Sequence, residues 1–345
     1  MIHLTQVIQG MTQVDVYGIG NALVDLEFEV DESFLAEAGI DKGLMTLIDA
    51  EPQDRLLHAL QQRTALRKRA GGGSAANTLY ALSRFGGGSF YSCKVANDEP
   101  GDFYINELGN HNVLTNLAAD REAGQTGRCV VMITPDAERT MLTNLGISQS
   151  VSTQDLKLDI AAQAKFVYVE GYLVTSDSAR QAALQLKEHA RANGVRTAMT
   201  FSDPSIVQHF RAGMEEVVGD GVDLLFCNER EAYAWTGEST LDAAARKLEG
   251  VARQFALTRG AQGARLFDGE KYVDIAPHAV EAVDCNGAGD MFAGAFLYGL
   301  THGMSFEQAG KLASLASATV VANFGPRLTP EQHTELLSSF LASGG

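Results

Sequence analysis

The sequence predicts an α/β fold: a mostly parallel sheet packed with helices, with a smaller β layer growing out of the same domain. Three observations predict it. From residue 166 onward, short apolar runs alternate with helical patterns, the signature of βαβ units and a parallel sheet. Hydrophobic residues make up 45% of the chain and charged residues 20%, enough for a large core and unlike a disordered composition. The 345 residues suit one large domain with an appendage, or about two domains at roughly 150 residues each, and neither an internal repeat nor a Pro- or Ser-rich linker divides them.

The elements follow in order. Residues 1–10 read as an extension or a tag ahead of the domain. Residues 14–19 are a short apolar run ending in glycines, expected as a buried strand. Residues 24–30 alternate, with Val24, Leu26, Phe28 and Val30 on one face, and are expected as a half-exposed strand. Residues 52–66 read as a helix through Leu56, Leu57 and Leu60. Gly71-Gly-Gly-Ser-Ala-Ala-Asn-Thr78 then opens a helix reaching Phe85. A strand is expected over 89–95 and a helix over 100–110. Residues 129–133 and 139–144 flank the polar turn Pro135-Asp136-Ala137 as a hairpin. After a strand at 166–169, Ala179, Ala182, Ala183, Leu186 and Ala190 form one helical stripe. Strands follow at 197–201, 223–227 and 254–258, a strand pair at 263–267 and 271–275, and two long helices over 287–302 and 306–323. Segments near 22–50 and 110–146 are left to build the second layer.

Charge and cysteines exclude several function classes. Lys plus Arg is 27 against 43 for Asp plus Glu, a net charge of −16, which argues against nucleic acid as a partner. Such a chain must bind an anion locally, with a helix N-terminus, a metal or a few Arg. Cys93, Cys129, Cys227 and Cys285 are scattered without a CxxC pair and read as reduced, cytoplasmic thiols. No stretch of about 18 apolar residues suggests a membrane span, and the start lacks a secretory pattern.

Gly18-Ile-Gly20 invites a dinucleotide reading, but Leu23 stands where the third glycine would be. The P-loop, HExxH, EF-hand and GxSxG patterns are missing. The strongest signal is Asp284-Cys-Asn-Gly-Ala-Gly-Asp290, followed by an apolar helix. Small residues Gly287, Ala288 and Gly289 let backbone N–H groups approach a ligand, and the helix start favours negative charge, so an anion hole is expected there. Asp290 is either a helix-stabilising charge or a general base beside a phosphate being transferred. In the second signal, Asn77 lies one turn inside a helix, where Asn has poor propensity, which points to contact with a polar ligand.

These two signatures resemble those of the PfkB family of carbohydrate and purine kinases, of ribokinase-like fold. The resemblance covers about residues 14–328. Gly20-Asn-Ala-Leu-Val-Asp25 and Lys42-Gly-Leu-Met45 look like the family's adenosine-kinase branch and its bacterial relatives. It implies a three-layer α/β/α domain over 1–345 with a small β-sheet lid from the segments near 22–50 and 110–146. It implies transfer of the ATP γ-phosphate to the 5′-hydroxymethyl of an adenosine-like purine nucleoside, with Asp290 as base, Gly287, Ala288 and Gly289 as the anion hole, and Arg139 either at the phosphate or as a solvated lid charge. Asp25 would grip the ribose diol, with Asn21, Gly72, Gly73, Ser74 and Asn77 beside it. Asn228 and Glu231 match an NxxE motif that holds Mg²⁺ mostly through water. Thr258, Gly260, Gly263 and Asn286 would face ATP. Asp284, with the 323–325 stretch, would be the place for K⁺ if one is used. Cys285 stands where the family usually has Thr. Phe34, Phe201 and Tyr172 are candidates to stack a purine. A sugar kinase of the ribokinase, fructokinase or 2-keto-3-deoxygluconate kinase type is the alternative, and a catalytically inert nucleoside-binding protein a third reading that an intact Asp290 argues against. The expected partner is one small-molecule nucleoside or sugar, on a monomer or homodimer, without nucleic acid or membrane.

Overall fold

The computed structural model describes residues 13–117 and 121–344, so the expectation for residues 1–10 lies outside the described residues. Fourteen strands are described: β1 Val16–Ile19, β2 Leu23–Glu29, β3 Met45–Leu47, β4 Lys68–Gly72, β5 Ser89–Ser92, β6 Val113–Thr115, β7 Thr126–Ile133, β8 Arg139–Gly146, β9 Phe166–Val169, β10 Arg196–Thr200, β11 Val222–Asn228, β12 Ala252–Thr258, β13 Ala264–Phe267 and β14 Tyr272–Ile275. Nine form one sheet in the order β14-β13-β12-β11-β10-β9-β1-β5-β6. Neighbours from β6 to β12 run parallel, and β13 and β14 close the edge antiparallel. Every residue of β1 and β9 is buried, as expected of central strands covered on both faces.

Helices cover the two faces. On one side the helices Ser74–Arg84, Ala288–Thr301 and Phe306–Val321 pack with Leu79, Leu82, Phe292, Phe296 and Leu312 in the core. On the other, the alanine-striped helix Asp177–Ala192 packs with Val167, Val169, Leu225 and Phe255. This is the expected three-layer arrangement. Parallel strands all end on the same edge, where α/β folds bind ligands. That edge carries Asn21 after β1, Glu170 after β9, Ser202 and Asp203 after β10, Asn228 ending β11 and Thr258 ending β12.

The second sheet has the order β3-β8-β7-β2-β4. Its outer face packs Phe28, Val130, Met132 and Leu142 against Phe34, Leu35, Leu56, Leu57 and Leu60 of two short helices. It differs from the sequence expectation in two respects. Residues 68–72 join it as β4, so Gly71 and Gly72 end a strand and do not open the helix, which begins at Ser74. Within the 110–146 segment, β6 pairs with β5 in the large sheet instead. The antiparallel pairing of β7 with β8 is the expected hairpin.

Strand β2 is buried on both faces, not half-exposed. Phe28 and Val30 pack on the two short helices as the alternation predicts and Val24 joins the core of the large sheet, but Asp25 and Glu27 on the other face are 5% and 0% exposed. Neither Glu27 carboxylate oxygen has a hydrogen-bond partner among the described residues. Burial, aided by the Asp25 charge and opposed by the Lys68 ammonium, pushes its pKa up to about 8. The folded protein therefore binds this proton more tightly than the unfolded chain. Stability from that proton is full below about pH 4.5 and is lost as pH rises toward 8. Glu27→Gln is expected to stabilise the protein by on the order of a few kcal/mol more at pH 8 than at pH 5. Denaturant melts of both proteins at the two pH values measure this; an equal shift at both would show that Glu27 does not titrate in the fold.

Candidate active site

A cleft of about 320 Å³ lies between the carboxyl edge of the large sheet and the inner face of the second sheet. That is near the lower end of small-molecule sites. Leu23, Met45, Cys129, Met141 and Leu145 give it an apolar wall from the second sheet. Apart from two of the purine-stacking candidates and the 323–325 stretch, every sequence-predicted site residue lines it except Gly72, Gly263 and Asp284. These three act from behind. A Cβ at Gly72 would stand 2.1 Å from the Asp25 carboxylate, so only glycine lets that acid lie across β4. Gly263, at φ 83°, closes the turn into β13. Asp284 is fully buried, its two oxygens accepting the N–H groups of Asn286 and Gly325, both at 2.8 Å.

The helix Ala288–Thr301 starts at the cleft. Gly287 adopts φ 73°, and a Cβ there would stand 2.5 Å from the Pro326 carbonyl oxygen, so the turn into the helix requires glycine. Nothing lies within 4 Å of a Cβ at Gly289. The N–H groups of Gly289 and Asp290 have no acceptor among the loop and cap hydrogen bonds, as the first turn of a helix leaves them. The expected third donor, Ala288 N–H, reaches back to the Cys285 carbonyl at 3.4 Å, which also accepts from Arg139 Nη1 at 3.0 Å. Arg139 is thus drawn across the cleft from the second sheet to the helix start. Cys285 is the exposed thiol of the four and offers its backbone carbonyl to the site.

Asp290 is the meeting point of the two sequence signals. Its Oδ1 accepts from Ser74 Oγ at 2.6 Å and its Oδ2 from Asn77 Nδ2 at 3.1 Å. Burial raises its pKa, and these two donors, Arg139 and Arg327 hold the rise in check. Asp25, a buried carboxyl on the facing sheet, is pushed up to about 7 by burial, with Arg327 the main opposing charge. Gly73, at φ 98°, brings the chain within contact of the Asn21 carbonyl and caps the Ser74 helix.

Asn21 is held from behind. Its backbone N–H and its Nδ2 both donate to Glu170 Oε1 at 2.9 Å, and its Oδ1 accepts from Ser148 Oγ at 3.2 Å. Glu170 Oε2 accepts Ala75 N–H at 2.9 Å, so one buried acid joins β9, the turn after β1 and the Ser74 helix. Sequence reasoning missed Glu170, Ser148 and Arg327. The only trace of Glu170 is an acid between an apolar strand and Gly171.

Asn228 and Glu231 form a reciprocal helix cap. Asn228 Oδ1 accepts Glu231 N–H at 2.9 Å; Glu231 accepts the Asn228 N–H at 3.0 Å and its Nδ2 at 2.6 Å. Burial pushes the Glu231 carboxyl up to about 8. Asp203 and Arg230 line the cleft nearby. Among the described residues no group of three acids, His or Cys could cage a metal. One or two carboxylates beside a cleft fit hard Mg²⁺, which keeps several waters and shares its remaining ligands with phosphates. The place expected for K⁺ fits less well: Asp284 is engaged by two N–H groups, and the Lys68 ammonium donates to the Phe324 carbonyl at 3.1 Å. Of the purine-stacking candidates only Tyr172 lines the cleft. Phe34 is buried under the second sheet, and Phe201 packs on Trp235.

Comparison with known proteins decides the family. The model of the pfkB family of carbohydrate kinases matches residues 41–333. The chain belongs to this family. As a pfkB kinase it is a phosphotransferase acting on a hydroxyl group. The structure of adenosine kinase from Sinorhizobium meliloti is similar at 34% identity and a TM-score of 0.89, covering 95% of this chain and 100% of that one. A probable sugar kinase from Rhizobium etli CFN 42 is similar at 32% and 0.89, covering 96% and 100%. Adenosine kinase of Saccharomyces cerevisiae is 26% identical over 335 residues, 91% of this chain and 96% of its own. In pfkB terms, the two signatures read from the sequence are the two ends of one hydrogen-bonded unit, Ser74 and Asn77 on Asp290. No helix among the described residues is long and apolar enough to cross a membrane.

Proposed function

We propose that this pfkB kinase transfers the γ-phosphate of ATP to the 5′-hydroxyl of a purine nucleoside such as adenosine. The observation that carries the reading is the pairing of two carboxyls across one cleft, the half-buried Asp290 at a helix start with free N–H groups and the buried Asp25 on the facing sheet. Likeness to adenosine kinases along nearly the whole chain supports the nucleoside. Asp25 accepts the two O–H groups of the ribose diol, one per oxygen. Asp290 takes the proton of the 5′-hydroxyl as its oxygen attacks the γ-phosphorus. The new P–O bond forms as the bond to the β–γ bridging oxygen breaks, and ADP leaves. Gly289 and Asp290 N–H groups and Arg139 face the charge that grows on the transferring group. Ser74 and Asn77 keep the base aimed. Thr258 and Gly260 border the space for the nucleotide, and Asn228 with Glu231 would hold Mg²⁺ through water, where it neutralises phosphate charge. At the place where K⁺ would sit, the Lys68 ammonium donates to the Phe324 carbonyl, so turnover is expected without K⁺. Four cysteines without a disulfide suit a reducing cytoplasm.

The test is a turnover panel with Mg·ATP over adenosine, inosine, guanosine, ribose and fructose, run in sodium and in potassium buffer. Adenosine or another purine nucleoside is expected to have the highest kcat/KM, with rates within twofold between the buffers. A free sugar outpacing every nucleoside would replace the nucleoside reading with the sugar-kinase one. A strong K⁺ requirement would overturn the role given to Lys68.

A further inference from the structure

Arg327 sits between the helices Phe306–Val321 and Pro330–Ala342, in no motif, with a side chain 5% exposed. Its Nε donates to Asn77 Oδ1 at 2.9 Å and its Nη1 to Glu107 Oε1 at 2.8 Å. The guanidinium carbon stands 4.7 Å from the centre of the Tyr80 ring, whose hydroxyl donates to the Leu328 carbonyl. Glu107 Oε2 accepts the N–H of Gly71 at 2.6 Å, one residue before the glycine on which Asp25 lies.

A carboxamide has an acceptor end and a donor end of nearly equal size, so its partners decide which way it faces. With a permanent donor at one end of Asn77, Oδ1 must turn toward Arg327, and Nδ2 is left facing Asp290. Reversed, the amide would set an oxygen against the Asp290 carboxylate. A lysine could not do the same work. The planar fork reaches Asn77 and Glu107 at once, whereas an ammonium is a single point charge on a flexible stem.

We propose that Arg327 is a positioning residue for the transfer step: its guanidinium locks the Asn77 amide in the orientation that donates to Asp290, and through Glu107 it steadies the end of β4 against which the Asp25 carboxylate lies. The proposal rests on the reading of Asp290 as the base.

Arg327→Lys, Asn77→Ala and the double variant test it, with kcat and KM measured on whichever acceptor the unaltered enzyme turns over fastest, alongside thermal melts. Arg327→Lys is expected to lower kcat at least about tenfold, with KM for ATP within about twofold. The double variant is expected to be no slower than the slower single one, because both changes break one unit. A folded Arg327→Lys protein with kcat within twofold of wild type, or losses that multiply in the double variant, would overturn the proposal. Should Arg327→Lys fail to fold, Arg327→Gln with Glu107→Gln removes both buried charges together and carries the same kcat expectation and the same overturning result. A sugar as the fastest acceptor would count against the nucleoside reading while leaving these ratios to be judged as before.

Discussion

Asp290→Asn is expected to reduce turnover by at least about a hundredfold while fold and ATP binding stay nearly intact, the usual scale for loss of a general base. Asparagine fits the same space, with its oxygen accepting from Asn77 Nδ2 and its amide N–H donating to Ser74 Oγ, so the local structure loses little. What it cannot do is take a proton. The carboxyl's pKa is raised by burial, so in the unaltered enzyme the charged form is lost as pH falls through that pKa. The acid limb of the kcat profile is therefore expected to bear the Asp290 titration and to vanish in the variant. Purified protein, a melting curve, ATP binding and kcat across pH make the check. A variant within a few-fold of wild type would show that Asp290 only stabilises its helix.

The second large effect concerns Asp25. As an acceptor of both diol hydroxyls, it should make ribonucleosides better substrates than 2′-deoxynucleosides. A deoxy analogue leaves one buried carboxylate oxygen unpaired, at a cost of about 1–3 kcal/mol or more. That is roughly a five- to more than hundredfold loss in kcat/KM, at about 1.4 kcal/mol per tenfold. Its pKa of about 7 adds a sign: KM for the ribonucleoside is expected to rise as pH drops below 7 and the acceptor charge is lost. Asp25→Ala should lower activity overall and shrink the ribo-over-deoxy preference toward unity. Equal kcat/KM for adenosine and 2′-deoxyadenosine in the unaltered enzyme would remove Asp25 from the diol.

The residues on which these expectations rest were legible because each stands in a short run with its own backbone demands. Gly287 needs a positive φ at a helix start, and Gly73 needs one where the chain passes Asn21. Hydrophobic alternation likewise pointed Val24 and Phe28 correctly inward. It could not reveal that Asp25 and Glu27 are buried too, because Asp25 faces Arg327 and Glu27 faces Asp284 and Asn286, all far away in the chain. The supporting shell was illegible for the same reason. Arg327 meets Asn77 across 250 residues and Glu170 meets Asn21 across 149, and such contacts leave no period in the chain. The NxxE string was found, but its reciprocal cap with Asn228 became visible only once the helix start at Glu229 was placed. The β4 strand was missed because three consecutive glycines read more readily as a turn than as the end of a pairing with β2.

The two carboxyls belong to different sheets, Asp25 to strand β2 and Asp290 to a helix packed on the nine-stranded one. On the proposed reading they are the jaws of a caliper, and an acceptor is gauged by whether it closes both at once. A ribose with its hydroxymethyl does so. A water molecule touches one jaw only, so it lacks the second contact that holds an acceptor oxygen in place. The gauge is set by how the second sheet rests on the first, so a substitution at their seam can retune acceptor choice without touching either acid.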